Sequence, residues 1–225
     1  MDIAARAFSP SVHVAAVVLA AGRSRRMGRC KLTLPWGNTT VIGQVVATLA
    51  QAGAAPVLVV TAPPWHHEVL SALSGAPAQV VVYHPQDPEA MLLTVQWGLR
   101  HLPDTTAATF IALGDQPHIP LHVPQTLLAT YQATGAAIVV PTYQGRKGHP
   151  WLVDRRLWPD LLRLPPTATL RDFLHHHQEH LHPVPVVTPA IRWDMDNPQD
   201  YRRLRAWWEY NQNRTSRTIP GKREE

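Results

Sequence analysis

A chain of 225 residues with 45% apolar content can bury a sizeable core as one large domain or two small ones. Its single cysteine, Cys30, excludes an intramolecular disulfide and a thiolate zinc cluster, and no run approaches the roughly 18 apolar residues of a membrane span. The net charge of +5 gathers in one early loop and near the C-terminal end, a pattern that suits a local anionic ligand as well as a nucleic-acid surface.

Residues 1–12 hold Asp2, Arg6 and Pro10 without a long apolar core. They read as a flexible N-terminus rather than a signal peptide, and a cytoplasmic protein is expected. VHVAAVVLA (12–20) is a continuous apolar run ending at glycine and charge, and predicts a buried strand. In 41–53, Ile42, Val45, Val46 and Leu49 recur at helical spacing, with Gly53 as a stop. Strands are predicted at 56–62, 79–84, 108–114 and 136–143, and helices at 65–73, 91–102 and 122–134. The alternation predicts a three-layer α/β protein with a mostly parallel sheet. QGRKG (144–148) reads as a hairpin turn into 149–153. Helices follow near 155–163 and 169–181, the second capped by Thr169 with Asp172 at the reciprocal position. A late strand is expected at 184–187 and a closing helix at 198–210, with a polar tail fraying beyond.

LAAGRSRRMGRCK (19–31) places five cations in thirteen residues directly after the first strand. Such a run repels itself unless it is solvated or an anion sits among it. It fails as a P-loop, because five residues separate Gly22 from Gly28 and Leu32 follows Lys31, and it lacks the three clustered glycines of a dinucleotide fingerprint. The order Leu-Ala-Ala-Gly-x-Ser-x-Arg-Met-Gly-x-x-Lys resembles, position by position, the signature loop of the molybdenum cofactor cytidylyltransferase family. The resemblance spans about residues 13–207. It implies a Rossmann-like, nucleotide-diphospho-sugar transferase-like fold with an inserted β-hairpin, and a nucleotidyltransferase domain over 13–208. It further implies that Leu19, Ala20, Ala21 and Gly22 approach the nucleotide and that Arg26 and Lys31 neutralise a triphosphate. Arg23, Arg25 and Arg29 fall at variable positions and are expected to be solvated, and Cys30 incidental.

The family's Gly-Asp-x-Pro and Asp-x-Asp-Thr-Pro-x-Asp segments correspond to Gly114–Pro117 and Asp194–Asp200. Asp115 and Asp196 are thereby implied as ligands of Mg²⁺, with Asp194 beside them. Asn197 replaces the common Thr and can still cap the helix that Pro198 opens. By the same resemblance, Thr94, Gly148 and His149 face an acceptor, although Gly148 and His149 also suit a plain hairpin turn. Ala90 and Leu93 depart from the small residues usual there. The implied reaction joins CMP from CTP to the phosphate of molybdopterin and releases pyrophosphate, with a molybdoenzyme or its maturation chaperone as recipient and neither nucleic acid nor membrane as partner. Ala20-Ala21-Gly22 leans towards CTP, since the guanylyl branch typically has Leu-Ala-Gly-Gly. GTP, another phosphorylated acceptor, an NAD(P)H-dependent reductase on this fold and a carrier without turnover stay open. His176 and His180 in HHHQEHLH (175–182), four apart, read as a solvated face rather than a metal site.

Overall fold

The computed structural model describes residues 12–84 and 91–217; residues 1–11, the predicted N-terminal segment but for Val12, and Ala90 lie outside them. The strands in chain order are β1 (Val14–Ala20), β2 (Pro35–Trp36), β3 (Thr39–Thr40), β4 (Val57–Thr61), β5 (Gln79–Val82), β6 (Ala108–Leu113), β7 (Ile138–Tyr143), β8 (Arg146–Lys147), β9 (Trp151–Asp154) and β10 (Leu181–Pro185). The helices are α1 (Val41–Gln51), α2 (His66–Ala72), α3 (Met91–Arg100), α4 (His122–Thr134), α5 (Trp158–Arg163), α6 (Leu170–His176) and α7 (Pro198–Arg217).

The main sheet runs β10-β7-β9-β6-β1-β4-β5, with β8 paired to β7. Only β8 and β9 run against the rest. Strand β1 lies between β4 and β6 and is buried on both faces, which is why its sequence is continuously apolar rather than alternating. Val14, Ala16 and Val18 join the core that includes Val45 and Val46 of α1 and Leu204 of α7. Ala15 and Val17, on the opposite face, join Leu92 and Val95 of α3, Leu161 of α5 and Phe173 of α6. The three layers follow from that period-two division.

The expected hairpin forms, and its return strand enters the sheet. Gln144 and Gly145 both take positive φ, the two-residue turn that matches strand twist, and Tyr143 pairs with Arg146 across it. Strand β9 then wedges antiparallel between β6 and β7.

Three expectations need correction. The helix predicted over 169–181 ends at His176, although its capping box between Thr169 and Asp172 is present. The late strand spans Leu181–Pro185 rather than 184–187. Its Pro183 and Pro185 lie on an edge strand, where a missing N–H costs no ladder bond. The closing helix runs on to Arg217 instead of fraying after Tyr210. It is anchored early: the Tyr201 hydroxyl donates to the Pro35 carbonyl at 2.6 Å, and Trp208 packs on the buried Trp36 with ring centroids 5.6 Å apart.

Phe110, in the middle of β6, is fully buried. Phe110→Ala should lower stability by about 3–5 kcal/mol in urea unfolding, through lost transfer free energy and the cavity left behind.

Candidate active site

Parallel α/β sheets present their loops at the carboxyl ends of the strands, and ligands settle there. The loop after β1 leaves the sheet at Ala21. Ser24 (φ 51°) and Gly28 (φ 66°) adopt left-handed backbone on either side of a 3₁₀ turn, Arg25–Met27. The Ser24 Oγ accepts the Lys31 N–H at 3.2 Å and so closes the loop on itself. Lys31 then opens a second 3₁₀ turn, with its side chain directed back across the sheet end.

That side chain meets two distant segments. The Lys31 ammonium donates to an Asp115 carboxylate oxygen just past β6, and to the Met195 carbonyl at 3.1 Å. It also lies 3.7 Å from Asp196 Oδ1. All three of its protons thus have partners close by. Arg26 Nη2 pairs with Asp196 Oδ2 at 2.8 Å. Asp194 stands nearby, and partial burial, with Asp115 and Asp196 next in effect, holds its carboxyl above the usual range.

The acidic loop is fixed from behind. Asn197 Oδ1 accepts the N–H groups of Gln199 (2.9 Å) and Asp200 (3.0 Å), so Asn caps α7 as the absent Thr would. Asp200 accepts in turn from the Asn197 amide at 2.7 Å and the Asp196 N–H at 3.3 Å. One turn upstream, Gln116 donates to the Trp193 carbonyl, His149 N–H to that of Ile191, and the His118 ring lies 3.2 Å from that of Ala190. A side chain at Gly148 would place its Cβ 2.2 Å from the Ile191 carbonyl oxygen, so only glycine lets the hairpin come this close.

Two clefts open over these groups. The first, of about 520 Å³, is lined by Leu19–Arg26, Lys31, Thr94, Asp115, Asp194 and Asp196 among others. It therefore gathers Leu19, Ala20, Ala21, Gly22, Arg26, Lys31, Thr94, Asp115 and Asp196 in one place. Gly148 and His149 are not in it. They line an adjoining cleft of about 1250 Å³, which shares Met91, Leu113 and Asp194 with the first. Arg23 and Arg25 are exposed, as expected of solvated charges, and they also line the first cleft. The bulky apolar side chains at the start of α3 that reach the second cleft are Met91 and Leu92, rather than Leu93. Sequence reasoning gave no part to Gln116; its place one residue after Asp115 was the available signal.

The donor set suits a hard divalent cation. Asp115, Asp194 and Asp196 line this cleft together, and carboxylate oxygens are the ligands Mg²⁺ and Mn²⁺ prefer. Among the described residues no group of three or more His, Cys, Asp or Glu side chains forms a ready-made cage, so phosphate oxygens and water would supply the remaining ligands. His176 ends α6 and His180 lies in a separate 3₁₀ turn, which removes the shared helix face that a pair of ligands needs. Cys30 is buried, and burial pushes its thiol up.

A parallel α/β sheet with a small-residue and cationic loop after its first strand, facing two acidic loops, defines a nucleotide-binding class of protein. The chain belongs to the MobA-like NTP transferase domain family, whose model matches residues 16–181; it is a nucleotidyltransferase. It is 22% identical over 185 residues to the molybdenum cofactor cytidylyltransferase of Escherichia coli, covering 82% of this chain and 92% of that one. It is 33% identical over 149 residues to a probable molybdenum cofactor guanylyltransferase of Mycobacterium bovis, covering 60% of this chain and 65% of that protein, just under two thirds of its length. The crystal structure of Rv0371c from Mycobacterium tuberculosis superposes with a TM-score of 0.77 at 26% identity, over 88% of this chain and 99% of that one. The same protein's complex with manganese gives a TM-score of 0.72, at 26% identity over 86% and 98% of the two chains. Among the described residues no helix is long and apolar enough to cross a membrane.

Burial lowers the pKa of both His118 and His149 to about 4. Between pH 4 and the unfolded value near 6.5, the unfolded chain binds more protons than the folded one, so stability is complete above that window and falls as pH drops through it. For the fully buried His118 the loss on going from pH 7 to pH 5 should be about 2 kcal/mol. His149 adds a loss of the same sign, so in His118→Gln the gap between urea midpoints at the two pH values should narrow without closing.

Proposed function

We propose that the protein transfers a cytidylyl group from CTP to the phosphate of molybdopterin, releasing pyrophosphate, within a nucleotidyltransferase domain spanning residues 13–208 and in the cytoplasm. The observation that carries this reading is the meeting of two clefts at Asp194, with Lys31, Asp115 and Asp196 clustered in the first. A nucleotide in the first cleft and a phosphorylated acceptor in the second would meet at that border.

In the reaction, an acceptor phosphate oxygen attacks the α-phosphorus. A P–O bond forms there, the bond from α-phosphorus to the bridging oxygen breaks, and pyrophosphate departs with the electron pair. The second ionisation of a phosphate monoester lies near pH 6, so the nucleophile is already charged at neutral pH and needs no side-chain base. The work left to the protein is alignment and charge neutralisation. Ala20, Ala21 and Gly22 let the backbone approach the nucleoside closely. Arg26 and Lys31, held in readiness by carboxylates, turn to the triphosphate oxygens. Asp115 and Asp196 would hold Mg²⁺, which when bound neutralises charge on the phosphates; the manganese complex of the mycobacterial relative supports a divalent ion. Gly148 and His149, in the second cleft, are on the acceptor side, and Thr94, buried in the wall of the first cleft one turn from the shared Met91, would meet the acceptor where the two clefts join. A recipient molybdoenzyme or its maturation chaperone takes the product.

The higher identity to a guanylyltransferase over a shorter segment favours GTP as a second reading. Against it, Ala21 carries a methyl group where the guanylyl branch typically has glycine.

Pyrophosphate release with molybdopterin and Mg²⁺ should be fastest with CTP among the four ribonucleotides, and Lys31→Ala should reduce it on the order of 100-fold or more. Fastest turnover with GTP would reverse the base assignment, and an unchanged rate in Lys31→Ala would remove that residue's role.

A further inference from the structure

The main sheet ends differently on its two sides. On one edge, the Val186 N–H donates to the Thr142 carbonyl at 2.8 Å, so alternation along β10 turns the ring nitrogens of Pro183 and Pro185 outward. Those two positions offer no donor, and a further strand cannot complete a ladder there. On the other edge, the Tyr83 N–H donates to the Thr61 carbonyl at 2.7 Å. Gln79, Val81 and Tyr83 therefore bond towards β4, and the N–H and C=O of Val80 and Val82 point away from it. Among the described residues no hydrogen bond reaches those outward groups.

Edge strands are ordinarily blunted by a charge, a proline, a bulge or a covering element. Residues 78–83, Ala-Gln-Val-Val-Val-Tyr, hold neither charge nor proline. Val80 packs on the core of one sheet face, and Val81 and Tyr83 on that of the other, yet all three stay half-buried. The strand is held in place while its outer side is bare.

Outward N–H and C=O groups in strand geometry select another extended chain. We infer that the occupant is β5 of a second copy of this chain, paired antiparallel across a two-fold axis at Val81. In that register Val80 faces Val82 of the second copy, Val82 faces its Val80, and each pair exchanges both backbone bonds. Val81 meets its own counterpart on the axis as a pair without hydrogen bonds. The segment is complementary to itself, and no like charges are brought together along it. The head-to-tail alternative, β5 against β10 of the next copy, is shut off by Pro183 and Pro185, so pairing closes at two chains instead of growing into a filament. Neither cleft takes a lining residue from β5, and the pairing stands apart from the nucleotidyl-transfer reading.

Sedimentation equilibrium of the full chain, from the micromolar range to hundreds of micromolar, tests this. The mass should rise from that of the 25.1 kDa chain towards twice that value and no further. Val82→Pro makes β5 as blunt as β10. Each copy loses one donor, so association should weaken at least tenfold, with a thermal midpoint near that of wild type. Disulfide trapping reads the register. Val81→Cys puts two thiols across the axis within bridging distance, and should give a covalent dimer under mild oxidation at least tenfold faster than Gln79→Cys, although Gln79 is the more exposed. Wild type, whose Cys30 is buried, should give none. The proposal is overturned if wild type keeps the mass of one chain throughout, if it grows beyond two, or if folded Val82→Pro associates as wild type does. Should Val82→Pro fail to fold, the trapping decides, and equal rates for the two cysteine variants overturn the proposal.

Discussion

The ammonium of Lys31 sits where three segments far apart in sequence converge, and the arrangement of that end of the sheet turns on it. Asp115, Asp194 and Asp196 would repel one another across a few ångströms of partly buried space. Burial first, and these neighbours after it, hold the carboxyl of Asp194 above the usual range. Lys31 touches Asp115, lies near Asp196 and binds the backbone of the residue between the other two. A charge shared in this way does more than a surface ion pair, whose contribution is commonly below about 1 kcal/mol. It fixes the separation of the acidic loops, so the same cation that organises the site is positioned to meet phosphate oxygens when they enter.

That convergence depends on the sheet order. Strands β1 and β6 are neighbours and end together, which puts the basic loop beside Asp115. The third segment arrives from the far edge, after β10, and has no strand of its own to align it. Gln116, His118 and the backbone of His149 supply the alignment at the carbonyls of Trp193, Ala190 and Ile191 respectively. The short motif after β6 therefore has two tasks, presenting a carboxylate and holding its counterpart. The close approach at Gly148 gives the hairpin a packing function beside any contact with substrate.

Much of this was legible from local patterns. The apolar runs of β1, β4 and β6 are buried on both faces, so they stand out without needing an alternating period. The small-residue loop and the Asp115 motif sit at the ends of β1 and β6, and the Asp196 motif stands directly before α7. What escaped was set by tertiary context. Prolines 183 and 185 argue locally against a strand and are tolerated only because β10 is an edge. Helix α7 continues through a polar stretch because Tyr201 and Trp208 dock its first three turns. Arg23 and Arg25 are exposed charges, and only the folded loop shows that they border the cleft. The division into two clefts, with Gly148 and His149 in the second, requires knowing where β9 inserts.

The docking of α7 has a consequence for how this chain can change. Its cap, Asn197, follows Asp196 directly, and Trp208 lies eleven residues further on, about three helical turns. Both ends must therefore face their partners in the same rotational phase. Inserting or deleting one residue between them would swing the indole by about 100° away from Trp36. That stretch should admit almost any exchange of exposed side chains and almost no change in length.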